Sequence, residues 1–223
     1  MRRLLRENGL AIVWLGLFFL TLVFGQSVVG QREYNNEQRE HGQPQASLAE
    51  YVVSPHFVEA TMENWESEFL QMFLFVALTA CLYQKGSAES KKLDEKEAVD
   101  RDPRRSKNKR DAPWPVRRGG FVLTLYEYSL SLAFLLLFLG AFFLHAAGGA
   151  REYNQEQAEH GVAEQVTTLQ YMATSRFWFE SLQNWQSEFL AVGLMVVLSI
   201  WLRQKGSPES KPVDAPHSQT GKG

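Results

Sequence analysis

The chain has 223 residues, 45% of them hydrophobic and 13% aromatic, with a formal net charge of −2 and one cysteine. One cysteine excludes a disulfide framework and any CxxC-type metal spacing. No Ser/His/Asp or Cys/His triad, phosphate-cradling glycine loop or nucleotide motif occurs, so neither an enzyme nor a nucleic-acid partner is expected.

The apolar residues are segregated. Gly9–Gln31 carries no charge, and a bilayer core of about 30 Å needs roughly 20 helical residues. This reads as a first membrane span over about 9–29. Arg2, Arg3 and Arg6 precede it, as in a signal peptide. No small-x-small cleavage site follows, and an equivalent segment recurs mid-chain, so the span is expected to be retained.

Residues 31–42, QREYNNEQREHG, read as a continuation of this helix, stopped at His41-Gly42. Helical spacing stacks Glu33, Glu37 and His41 on one face. A second copy at 150–161 stacks Glu152, Glu156 and His160. Glu and His four apart can ligate a divalent cation, which makes Glu37, His41, Glu156 and His160 a candidate zinc-like site. The pattern is neither HExxH nor the ExxH of di-iron bundles. A structural cap, knitted by Arg32 with Asn36 and Tyr34 with Gln38, is the leading reading, and no cofactor is expected.

Ser54-Pro55 is a helix start, a capping hydroxyl followed by proline. The apolar run that follows, Phe69–Gln84, has 16 residues and is short for a span. Counting back about 20 residues from Gln84 brings the span to Trp65 and puts Glu68 roughly one turn inside the outer boundary. Asn64 and Glu68 share a face, as do Asn184 and Glu188 in the fourth apolar segment, where Phe189–Leu202 has 14 residues. A carboxylate at membrane depth is a functional candidate by default, here a proton- or cation-holding pair. The plainer reading has each glutamate reach the headgroups. Trp65 and Trp185 suit interfacial anchors.

Residues 85–118 hold twelve Lys and Arg and almost no apolar side chains, the composition of a flexible linker. Arg104–Arg118 suits anionic headgroups, though a charge block that only orients the chain is the leading reading. A third span is expected over about 121–147 and a fourth over about 183–202. The residues from 212 to 223 are expected to be disordered.

The two halves share letters as well as pattern. Nine of 12 residues match between 31–42 and 150–161; NWESEFL at 64–70 returns as NWQSEFL at 184–190, and QKGSAESK at 84–91 as QKGSPESK at 204–211. The offset is 119 for the first block and 120 for the others. Missing such a duplication miscalls a fold. Here it defines repeat 1 over 1–91 (outer loop 30–64), a linker over 92–118, repeat 2 over 119–211 (outer loop 148–182) and a tail over 212–223. Two spans per copy make the repeats parallel. Of the 23 basic residues, nineteen lie before the first span, between Lys85 and Arg118, or from Arg203 onward. Cytoplasmic flanks are the basic ones. Both termini are therefore expected in the cytoplasm and the two acidic loops outside.

The fold expected is an all-α membrane protein of four transmembrane helices, two helix hairpins in parallel repeat with helical outer loops. REYNxEQxEHG, NWxSEFL and QKGSxESK, each carried twice, resemble a family of small bacterial integral membrane proteins whose shared domain has no known function. The resemblance implies a multi-pass inner-membrane protein and transfers no site residues. Three roles follow from the residues: a structural or interaction protein in the bilayer, as a monomer or homo-oligomer; a small transporter or channel using Glu68 and Glu188; and an outward sensor using Glu37, His41, Glu156 and His160.

Overall fold

A computed structural model describes residues 2–222, whose regular elements are all helices, with no strand among the described residues. Helix α1 (Arg2–Leu20) runs into a wider, π-helical stretch, Thr21–Val29, and then into α2 (Gly30–Glu40). Hydroxyls claim carbonyls along this stretch: Thr21 Oγ1 donates to the Leu17 carbonyl and Ser27 Oγ to that of Leu22, both at 2.9 Å. Such back-bonding competes with the regular helical ladder. Gln26 Nε2 donates to Thr61 Oγ1 at 2.7 Å and ties the widened turns to a later helix.

The stop at His41-Gly42 follows from glycine. Gly42 takes φ 68°, its amide donates to Arg39 and that of Gln43 to Gln38, which satisfies the last carbonyls. The chain then turns back along α2. Asn35 brackets Ala46, accepting from its amide at 2.8 Å and donating to its carbonyl at 2.9 Å. Ser47 and Glu50 form a capping box that opens α3 (Leu48–Tyr51). Ser54 caps the Phe57 amide at the start of α4 (Pro55–Thr79).

Helix α4 ends at Thr79, five residues short of the expected Gln84. The Gln84 amide is instead used by Ser90 Oγ at 2.9 Å, in a loop where Gly86 takes φ 84°. Two 3-10 turns, Ala98–Asp100 and Pro103–Ser106, follow, then α5 (Trp114–Arg118) and α6 (Gly120–Glu127). The third apolar segment, expected as one helix over 121–147, is broken at Tyr128 (φ −111°, ψ 9°) before α7 (Ser129–Glu159). Ser129 Oγ takes the Tyr126 carbonyl at 2.9 Å, at the point where the helical ladder is interrupted.

The end of α7 repeats the geometry of α2. Gly161 has φ 76°, and the amides of Gly161 and Val162 donate to Ala158 and Gln157. Asn154 brackets Val166 at 2.8 and 2.9 Å. A Thr167/Gln170 capping box opens α8 (Thr168–Met172), and Thr174 caps Phe177 within the first turn of α9 (Ser175–Leu198). Residues from 212 onward, expected to be disordered, make hydrogen bonds back to the chain. Lys211, 1% exposed, donates to the carbonyls of Gly86, His217 and Gln219 at 2.5, 3.0 and 2.9 Å, and Thr220 Oγ1 accepts from the Gly86 amide. A tail poor in apolar groups is ordered here by buried hydrogen bonds, which composition does not reveal.

Two helical stretches, Leu5–Glu40 and Ser129–Glu159, are long and apolar enough to cross a membrane. Residues Met1–Asn64 with Ala141–Trp178 form one compact unit, and Trp65–Gly140 with Phe179–Gly223 a second. Ala146, Ala150, Tyr171 and Phe177 are the core of the first unit, with Phe142, Tyr153, Val166 and Met172 packed on it.

Candidate functional site

Within the first unit, the run Ala-Ala-Gly-Gly-Ala at 146–150 lets α7 approach its neighbours closely. A Cβ on Gly148 would lie 2.8 Å from the Glu59 amide nitrogen; one on Gly149 would lie 2.8 Å from Glu59 Oε1 and 2.5 Å from the Tyr171 ring. Glu59 is thereby drawn inside, 8% exposed, beside His145 and Tyr171, both at 0%. The Tyr171 hydroxyl donates to Glu59 Oε1 at 3.3 Å. The His145 ring lies against Phe177, centroids 4.9 Å apart. A Glu59 carboxylate oxygen and a His145 ring nitrogen come within 4.8 Å of each other. Ionisable groups are rarely buried unless paired or ligating.

The same unit holds the charged ends of α2 and α7. Arg176 reaches Glu156 with both terminal nitrogens, at 2.5 and 3.0 Å, and lies over the Tyr153 ring. Glu152, one turn before Glu156, has its Oε2 buried without a hydrogen-bond partner. Burial, then the charge of Glu156, raises its carboxyl to about 7, against the pull of Arg176. His56 packs between Tyr34 and Tyr51, centroids 5.4 and 6.0 Å away. Burial holds its pKa below the usual imidazole value, though Glu37 and Glu156 oppose this. Burial likewise raises the Tyr34 and Tyr51 phenols, and nearby carboxylates add to it.

The candidate metal set Glu37, His41, Glu156 and His160 is not assembled among the described residues. The Glu156 carboxylate is engaged by Arg176, His41 Nδ1 faces the Glu37 backbone carbonyl at 3.0 Å, and both histidines are exposed at helix ends.

The residues of the polar stripe, Asn64, Glu68, Asn184 and Glu188, lie on α4 and α9. Asn64 Nδ2 donates back to the Ala60 carbonyl at 2.8 Å, and Asn184 Nδ2 to that of Glu180 at 3.3 Å. Glu68 is exposed, while Glu66, two residues earlier, is fully buried and accepts from Trp185 Nε1 at 3.2 Å. Trp185 thus serves a buried carboxylate, and Trp65 packs edge-on against Phe69. Gln71 Nε2 donates to the Glu188 backbone carbonyl at 3.1 Å.

Glu59, His145 and Glu66 lie outside the candidates read from the sequence, and a signal for them existed. At the offsets of the duplicated blocks, His145 stands where the first half has Gln26, Glu59 where the second has Phe179, and Glu66 where the second has Gln186. At these three positions the two copies differ. Attention to matching letters passes over them.

A family model described as a domain of unknown function (DUF6766) matches residues 1–222. No curated protein matches the chain. No solved structure matches it.

Proposed function

The chain belongs to the DUF6766 family, and we propose that it is a multi-pass bacterial inner-membrane protein that works as a structural or interaction component, presenting an acidic helical cap outside. The observation that carries this is the exposure of its first helix. Over the most apolar window of Leu5–Glu40 no residue is buried, and Leu10 is 75% exposed, Trp14 66% and Phe24 62%. A core helix of a soluble protein hides such a face, and soluble monomers rarely expose apolar patches beyond a few hundred Å². A bilayer is the solvent in which this face is stable. The same holds for Ser129–Glu159, 17% buried over its apolar window.

Two further spans, α4 and α9, complete two tandem hairpins in this reading. Their apolar runs are short, and each helix begins well before its run, at Pro55 and Ser175. The matched letters of the two halves, together with the paired asparagine brackets and capping boxes, support a duplication. The concentration of basic residues before α1, over 85–118 and from Arg203 onward supports an inside location for those segments. Glu37, Glu152, Glu156 and Arg176 then belong to the outer cap.

Alkaline carbonate extraction of expressing cells tests the membrane assignment. The protein is expected to stay in the pellet and to be released by detergent. Recovery in the carbonate supernatant would contradict the proposal.

A further inference from the structure

We infer that Glu59 and His145 form a binding site for a divalent transition-metal ion, buried in the first unit and distinct from the Glu/His faces of the helix ends. The donor atoms are an oxygen and an imidazole nitrogen within 4.8 Å of each other. A zinc-like ion bonded to both at about 2.0–2.2 Å needs them no more than about 4 Å apart, within small side-chain adjustments of this arrangement. One carboxylate and one imidazole suit a borderline ion of the zinc, cobalt or nickel type, better than calcium or magnesium, which prefer all-oxygen shells.

The surroundings are those of a supported ligand pair. Tyr171 donates to Glu59 Oε1 at 3.3 Å and so orients the carboxylate from behind, as outer partners of metal ligands do. Phe177 lies against the imidazole. Gly148 and Gly149 leave the space that Glu59 and Tyr171 occupy, and any side chain there would displace them. Glu59 and His145 are the two donors that this unit supplies. The inference does not depend on the membrane reading, because the geometry lies within one compact unit.

The test uses the full chain, purified in detergent without a histidine tag and stripped with chelator. Zinc and cobalt are titrated, with metal content per chain, thermal stability and the visible cobalt spectrum as readouts. One ion per chain and a chelator-reversible rise in melting temperature are expected. His145→Gln places at 145 the residue that position 26 already carries, bonded to Thr61 in a compatible turn of the first half, and is expected to weaken binding at least ~100-fold. Tyr171→Phe removes the orienting hydroxyl and should weaken it about 10–100-fold with the cobalt spectrum altered. Tyr171→Phe keeps the test decisive if His145→Gln fails to fold. His41→Ala with His160→Ala should leave binding unchanged. The inference is overturned if wild-type protein binds no stoichiometric ion, or if Tyr171→Phe and His145→Gln, once folded, bind as tightly as wild type.

Discussion

The Tyr171 hydroxyl donates to Glu59 Oε1 at 3.3 Å, joining α8 to α4 through two buried side chains. Deleting a buried hydrogen bond to a carboxylate costs about 1.5–3 kcal/mol. Tyr171→Phe should therefore lower the unfolding free energy of detergent-solubilised protein by that amount. A change below about 0.5 kcal/mol would show that the hydroxyl contributes nothing.

Glycine positions on one helix should separate sharply. A Cβ at 148 or 149 meets buried backbone and ring atoms at 2.5–2.8 Å, whereas one at Gly140 meets nothing within 4 Å. Overpacking costs about 1–3 kcal/mol or more, and an exposed helical Gly→Ala change gains up to about 1 kcal/mol. Gly149→Ala should destabilise and Gly140→Ala should not, as read by thermal melts of the two variants side by side.

Much of the architecture was legible beforehand. Uncharged runs located the long helices, and the His-Gly pairs located their ends, because glycine alone takes the positive φ of those stops cheaply. The break at Tyr128 and the early end of α4 were not legible, since each depends on a hydroxyl or loop partner that takes over backbone groups. The buried centre was hidden for another reason. Glu59 and His145 are 86 residues apart, and neither falls in a matched block, so only packing brings them together.

Stability should fall as pH rises through the titration of Glu152. Its carboxyl ionises near 4.5 in the unfolded chain and at about 7 in the folded one, so the folded state holds the extra proton between those values. The stabilisation from the neutral form is complete below about 4.5 and lost as pH rises through about 7. Glu152→Gln, which cannot ionise, should match wild type at low pH and exceed it at pH 8. Parallel pH–stability curves for the two proteins would contradict the burial of this carboxyl. Arg176→Gln removes a cation that favours the ionised form and should shift the wild-type transition upward.

In the second unit, Glu66 is buried and accepts from the Trp185 indole. Trp185→Phe keeps the ring but deletes the donor, with an expected loss of about 1–3 kcal/mol. Glu68→Gln, at an exposed position, should fall within about 0.5 kcal/mol of wild type. If Glu68→Gln were the more damaging change, the assignment of the buried carboxylate to Glu66 would be wrong.

The central claim is that the acidic cap and the basic segments lie on opposite sides of a membrane. It is tested most directly by thiol labelling in a Cys81→Ser background carrying either Glu40→Cys or Lys107→Cys, both exposed positions. With an impermeant maleimide on intact spheroplasts, the account predicts labelling of Glu40→Cys, and of Lys107→Cys only after permeabilisation. Labelling of both from the same side, or of neither until the membrane is opened, would contradict it.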